Sequence, residues 1–275
     1  MSTESKIEAI AAPAKEEKSP FAGGIAVVKA FFLTITQLTW FLLKYFIEVL
    51  KPPYEFKEFL KQCFVIGYKS LPIVALTGFI MGVVLTIQAR PTLAEFGAVS
   101  WLPAMVAISI VREIGPVITA LIFAGKVGSS IGAELASMKV TEQIDAMEVS
   151  GINPFKYIVV TRVLAATVML PLLVVISCSI SMYGAFVGVN LLGEVTFQLF
   201  FAQVFDAIGF SDIFPALIKT VFFGFAIGLI GCYKGYTCNK GTEGVGEAAN
   251  SAVVAASISV FVLDVIAVQI TSILT

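Results

Sequence analysis

Histidine is absent from the 275-residue sequence, and its absence removes several kinds of chemistry at once. Without histidine there is no Ser-His or Cys-His dyad and no histidine-ligated zinc site. The four cysteines form no CxxC pair, so we expect them to be reduced thiols or small apolar side chains. The sequence therefore predicts no metal site, and it contains nothing that indicates a bound cofactor.

One short motif would otherwise suggest a serine hydrolase. Residues Gly128 to Gly132 match the GxSxG pattern of a nucleophile elbow, with Ser130 at its centre. The histidine base that such a serine needs is missing, and no strand precedes the motif. We therefore interpret this segment as a site of close helix packing or as a turn.

Charged residues are also scarce. They make up only 13% of the chain, whereas 58% of the residues are hydrophobic and the mean hydropathy is +0.94. A soluble domain of this length would need a polar surface that the sequence does not provide. No basic stripe with interleaved aromatic residues is present, which argues against nucleic-acid binding. The composition predicts an all-α membrane protein.

The first seventy residues differ from the rest of the chain. Residues 1–20 mix Glu, Lys, Ser, Ala and Pro without periodicity, which predicts a disordered tail. Residues 21–69 are predicted to form two amphipathic helices that lie in the membrane interface, separated by Pro52-Pro53. The apolar stretch of the first, from Ala30 to Leu43, is too short to span a bilayer. The second covers Glu55 to Lys69.

Residues 70–275 contain five predicted transmembrane helices, each long enough to cross the hydrocarbon core. They cover Leu71–Ala89, Trp101–Gly125, Val163–Leu192, Ile213–Tyr233 and Ala252 to the C-terminus, and Arg90-Pro91 is expected to close the first. Lysine and arginine crowd the segments before the first span, between the second and third, and after the fourth. The positive-inside rule then predicts a cytoplasmic N-terminus and a C-terminus on the outer side.

Pairs of glycines at a spacing of four residues recur along these spans. They are Gly78/Gly82, Gly128/Gly132, Gly184/Gly188, Gly224/Gly228 and Gly231/Gly235. Such pairs allow helix backbones to approach closely in lipid, which predicts a tightly packed bundle. The pattern does not distinguish packing within one subunit from packing across a homodimer seam.

Arg112 and Glu113 lie inside the second span, where charge is expensive. Adjacent helical residues point about 100° apart, so the two need not pair with each other. They face either a polar cavity, an inter-subunit seam, or a structural partner on another helix. Asp264 in the last span either contacts substrate, or hydrogen-bonds to a neighbouring helix or lies near the interface, and the structural interpretation is favoured.

A short amphipathic helix is predicted from Val140 to Val149, between the second and third spans. Val140, Ile144 and Met147 share one narrow face, and the acidic residues lie elsewhere around the helix. Such a helix suits either a docking peg for a soluble partner or ordinary packing against the bundle.

The same region carries a family resemblance. The runs REIGPV (112–117), FAGKVGSSIGAEL (123–135), MKVTEQIDAME (138–148) and GINP (151–154) resemble the MlaE/YrbE family of ABC permeases. This resemblance implies a permease domain over residues 70–275 and a homodimer in the bacterial inner (cytoplasmic) membrane, with the C-terminus periplasmic. It also implies two copies of a separate ABC ATPase, an MCE-domain lipid-binding protein, and phospholipid or a similar lipid as the cargo.

The resemblance also implies roles for particular residues. Arg112 and Glu113 would lie at the lipid cavity or the dimer seam. The helix that couples the permease to the ATPase would contain Val140, Thr141, Glu142, Gln143, Ile144, Asp145, Met147 and Glu148.

Independently of the family, the chain has no GxxxxGK[ST] motif, so ATP hydrolysis would have to occur in another polypeptide. The main alternative is an ion-coupled secondary transporter that uses Glu113 and Asp264. A lipid-processing membrane enzyme and a structural scaffold are further alternatives. The first lacks a pair of acids at catalytic spacing, and the second leaves the intramembrane charges unexplained.

Overall fold

The computed structural model describes residues 20–191, 193, 195–238 and 241–274, with side chains from Ile35 onward except those of Thr242 and Leu274. Within these ranges every regular element is helical. The predicted disordered tail lies outside the described residues, apart from Pro20, where the first helix begins.

Eight helices follow one another along the described part of the chain. They are α1 (Pro20–Leu50), α2 (Phe56–Glu95), α3 (Val99–Val140), α4 (Gln143–Val149), α5 (Phe155–Asn190), α6 (Phe197–Ala207), α7 (Phe210–Tyr236) and α8 (Thr242–Leu274). Among the described residues, five helices are long and apolar enough to cross a membrane: α2, α3, α5, α7 and α8. The prediction of an all-α membrane protein with five spans is confirmed.

Two features of the chain differ from the sequence-based expectation. The second amphipathic segment and the first span form one continuous helix, α2, which runs through Pro72 and past Arg90-Pro91 as far as Glu95. Pro91 therefore does not close the span. The predicted loop between the third and fourth spans contains the short helix α6, whose Phe200 and Val204 pack into a core with Leu102 and Ile110 of α3.

The chain divides into two compact units, Met1–Lys44 and Tyr45–Thr275. The described part of the first unit is helical, and its exposed side chains include Ile35, Trp40 and Leu43. Lys44 lies over the ring of Trp40, with its Nζ 5.3 Å from the ring centroid. The orientation of this segment in the plane of the membrane stays a prediction.

In the second unit the glycine pairs pack helices of the same chain against one another. A Cβ at Gly82 of α2 would collide with the carbonyl oxygen of Ser181 on α5. On α7, a Cβ at Gly224 would lie 2.6 Å from the Ala166 oxygen of α5, and one at Gly235 would lie 2.7 Å from the Gly132 oxygen of α3. The glycines thus allow close approach within one subunit, which the sequence left open. The GxSxG motif lies inside α3, as helix packing requires.

We expect Gly82→Ala to reduce the free energy of unfolding by about 3 kcal/mol, because the added methyl group meets backbone that cannot rotate away. Gly246→Ala on α8 is the matched control, since a Cβ there meets nothing within 4 Å. Thermal denaturation of both detergent-purified variants measures the difference. Equal melting temperatures for the two variants would contradict the packing described here.

Candidate functional site

Arg112 and Glu113 lie in a wider turn of α3. The α-helical hydrogen bonding changes to a π-helical segment at Ile110–Ile114, and a second one occurs at Ala124–Gly128. Such segments insert an extra residue into a helix and are frequent at functional sites. Here the first one redirects the side chains of two consecutive charged residues toward α7.

The guanidinium of Arg112 binds Asp212, in the first turn of α7. The Nε of Arg112 donates to Asp212 Oδ1 at 2.6 Å, and its Nη2 contacts the same oxygen. The other oxygen of Asp212 accepts a hydrogen bond from the Gly209 backbone N–H at 2.9 Å, which caps the helix. One buried carboxylate therefore fixes the start of α7 and holds Arg112.

Lys219 connects three of the membrane-spanning helices. Lys219 follows Asp212 by about two helical turns on α7. Its Nζ lies 2.6 Å from Glu113 Oε2 on α3 and 3.0 Å from Asp264 Oδ1 on α8. The Lys219 side chain is only 6% exposed. A buried ammonium with two carboxylate partners satisfies the need of each buried charge for a counter-charge.

The sequence correctly indicated that Arg112 and Glu113 need not pair with each other, and each finds its partner on α7. Sequence reasoning missed Lys219 and Asp212. The sequence does contain a signal for Lys219, because it is a lysine inside the apolar fourth predicted span. The positive-inside rule considers only lysine and arginine in the loops, so it does not detect this residue. The preferred interpretation of Asp264, a bond to a neighbouring helix, agrees with its contact to Lys219.

A cavity of about 390 Å³ opens beside these charges. Its lining residues are Arg112, Glu113, Ser211, Asp212, Pro215, Ala216, Lys219, Ala267, Val268, Thr271 and Ser272. The side chains of Arg112 and Glu113 are 57% and 46% exposed, whereas their α7 partners are buried. The cavity therefore presents one exposed cation and one exposed anion, each bound to a buried residue of opposite charge on α7. This arrangement suits a polar or zwitterionic group.

The short helix α4 differs from the predicted one at its beginning. The helix is interrupted at Thr141 and Glu142, where Glu142 adopts a left-handed φ of 57°. Helix α4 therefore begins at Gln143 and not at Val140. Val140 is instead the last residue of α3. The helical bonding ends at Glu142, whose N–H donates to the Lys139 carbonyl three residues back at 3.2 Å, while the Thr141 N–H still makes the helical bond to the Ser137 carbonyl.

On α4 itself the predicted apolar face is present. Ile144 is buried and Met147 is half-buried, while Gln143, Asp145 and Glu148 are exposed, as is Glu142 before the helix. Lys139 of α3 lies 3.6 Å from Asp145 and over the ring of Tyr236, which fixes the start of α4. Val149 is 90% exposed at the other end. The end of α4 therefore exposes an apolar side chain beside the acidic Glu148.

Comparison with known proteins gives consistent results. A model of the family described as Permease MlaE matches residues 59–270. The chain is 40% identical over 216 residues to a probable ABC transporter permease protein of Rickettsia typhi, covering 78% of this chain and 83% of the relative. It is 37% identical over 213 residues to the intermembrane phospholipid transport system permease protein MlaE of Haemophilus influenzae, covering 77% and 81%.

Proposed function

Because the chain belongs to the MlaE permease family of ABC transporters, we propose that it moves phospholipid between the bacterial inner membrane and a carrier outside it. The observation that carries this proposal is the charged cavity. It combines exposed Arg112 and Glu113 with surrounding spans that offer mainly apolar side chains. A phospholipid needs this combination, because its headgroup is polar and its acyl chains need only an apolar surface.

Within this proposal the exposed guanidinium of Arg112 binds the lipid phosphate, since planar guanidinium groups favour phosphate oxygens. Asp212 keeps the guanidinium in position through the 2.6 Å contact with its Nε. The ammonium of Lys219 holds Glu113 at the wall of the cavity and also binds Asp264 of α8. A rearrangement of α7 relative to α3 and α8 would therefore change both the charge pattern and the width of the site.

The energy source in this proposal is ATP hydrolysis by a separate subunit. The chain contains no P-loop motif, as its full sequence makes plain. Helix α4 is the proposed coupling helix, and the exposed side chains between Val140 and Val149 form the surface that docks on the ATPase. Ile144 was expected in this surface, but it is buried and packs against the permease itself. Binding of ATP by the partner would then shift the permease between two conformations.

The proposed assembly is a homodimer with two ATPase copies and an MCE-domain protein on the outer side. Helix α8 exposes the apolar side chains of Ile258, Phe261 and Val265. Such a surface fits contact with a second copy of the chain or with lipid. The distribution of lysine and arginine supports an orientation in which the N-terminus and α4 are cytoplasmic and the C-terminus is periplasmic. In this orientation the charged cavity lies toward the periplasmic side, where a carrier would exchange lipid.

An ion-coupled transporter remains the second candidate, because Glu113 and Asp264 do converge on one site. Both acids are bound to Lys219, however, and a coupling ion would have to displace that ammonium. Membership in an ABC permease family favours ATP as the energy source.

Co-purification from the native membrane tests the proposal. The tagged chain, extracted gently, should carry an ABC ATPase, an MCE-domain protein and enriched phospholipid, all identified by mass spectrometry. Recovery of the chain without any ATPase, even after cross-linking, would contradict the proposal and favour the ion-coupled alternative.

A further inference from the structure

The segment that follows the coupling helix is joined to the N-terminal helices by side-chain contacts that the function above does not use. This segment comprises residues 151–157, that is, the end of the connection between α4 and α5 and the first three residues of α5. Its partners are the end of α1, from Tyr45 onward, and the beginning of α2. If α4 moves with an ATPase, these contacts determine which other helices move with it.

The connection between α4 and this segment is stiff. Gly151 has a φ of +78°, and its N–H donates to the Glu148 carbonyl at 3.0 Å. The next N–H, of Ile152, returns to the Met147 carbonyl at 3.0 Å. This pair of bonds is a Schellman motif, in which a left-handed glycine ends a helix with a defined geometry. The position of Asn153 is therefore set by the end of α4.

The side-chain amide of Asn153 forms hydrogen bonds with two different helices. Its Oδ1 accepts a hydrogen bond from the backbone N–H of Lys156 at 3.3 Å, which caps the beginning of α5. Its Nδ2 donates to Glu48 Oε2, in the last turn of α1, at 3.0 Å. A single residue thus joins α5, α1 and the end of α4, and the Glu48 carboxylate that it binds is only 14% exposed.

Two further contacts support the same junction. The ammonium of Lys156 donates to the backbone carbonyl of Lys51, just after α1, and lies 5.6 Å from the ring centroid of Tyr54. The hydroxyl of Tyr157 donates to Glu58 at the start of α2, at 3.4 Å. The network is contiguous, which is a requirement for carrying a displacement between elements.

We propose that Asn153 is a positioning residue that transmits movement of the coupling helix to the N-terminal helices through its bond to Glu48. The proposal rests on the proposed function, since it requires that α4 docks on an ATPase. Its consequence is that ATP hydrolysis moves α5 and the α1–α2 junction together. Without the bond, the ATPase would still dock and hydrolyse ATP, but less lipid would move for each ATP.

The amide allows a test that separates this role from the helix cap. Asn153→Asp keeps an oxygen for the α5 cap but replaces the donor by a carboxylate that repels Glu48. Glu48→Gln keeps an acceptor for Asn153 and serves as the conservative control. The double variant Asn153→Asp, Glu48→Gln restores the bond with reversed polarity, because the glutamine amide donates to the new carboxylate.

The measurement is phospholipid moved per ATP hydrolysed, by the complex purified with its own ATPase and reconstituted in vesicles of phosphatidylethanolamine and phosphatidylglycerol. We expect Asn153→Asp and Glu48→Ala each to lower this ratio about 5-fold, at the lower end of known coupling between sites. Glu48→Gln and the double variant should stay near the wild-type ratio. Lys57→Ala, on the exposed first turn of α2, should have no effect.

An unchanged ratio in Asn153→Asp, or a double variant as poor as that single variant, would overturn the inference while leaving the proposed function intact. A wild-type complex that moves no phospholipid with ATP would overturn both. Glu48→Ala leaves the α5 cap untouched, so it decides the question if Asn153→Asp fails to fold.

Discussion

Lys219→Met is expected to abolish lipid movement, with a loss of at least about 100-fold, and to destabilise the chain by roughly 3 kcal/mol. The methionine has a similar length but no charge, so Glu113 and Asp264 lose the ammonium that lies within 3.0 Å of both. The two carboxylates that shared this ammonium then repel each other without a counter-charge between them. Reconstituted transport and thermal denaturation measure the two effects.

The control for this prediction removes the whole cluster. A triple variant with Lys219→Met, Glu113→Gln and Asp264→Asn carries no uncompensated charge, so its melting temperature should return close to that of the wild type. Its transport should not recover, because the charges themselves arrange the cavity. Wild-type transport by Lys219→Met would show that the cluster is only structural scaffolding.

The second large effect concerns the exposed end of α4. We expect the double variant Glu148→Lys, Val149→Asp to reduce ATPase co-purification about 30-fold, which corresponds to roughly 2 kcal/mol at an interface hot spot. Val149 is 90% exposed and offers the apolar contact, while Glu148 supplies charge beside it. The amount of ATPase that remains bound to the tagged permease is the measurement.

Glu95→Lys, Val99→Asp is the matched control, because it makes the same charge changes at two exposed positions, the last residue of α2 and the first residue of α3. This variant should retain the ATPase at the wild-type level. Equal retention by both variants would place the docking surface elsewhere than on α4. Loss of the ATPase from both would indicate a general defect in the permease.

The five spans could be predicted because each is a long apolar run, and the bilayer imposes that length directly on the sequence. Helix α6 could not, since its eleven residues fall below any spanning length and its stability depends on Phe200 and Val204 packing against α3. The end of α2 was misplaced at Arg90-Pro91 for a related reason. Proline is tolerated within membrane helices when neighbouring groups compensate, so it is a weak stop signal there.

Only part of the charged cavity could be predicted from the sequence. Arg112 and Glu113 are evident because two consecutive charged residues in a span are rare. Their partners, Asp212 and Lys219, are separated from them by about a hundred residues, and only the packing of α7 against α3 brings them together. The π-helical turn at Ile110–Ile114 was equally invisible, because no residue type encodes it.

The proposed activity is ATP-driven movement of phospholipid. It is tested by transfer of a fluorescent phospholipid out of vesicles that contain the purified complex, with and without ATP, for the wild type and Lys219→Met. We expect ATP-dependent transfer by the wild type, none by the variant, and no response to an imposed proton or sodium gradient. Transfer driven by such a gradient in the absence of ATP would overturn the proposed function and favour the ion-coupled transporter.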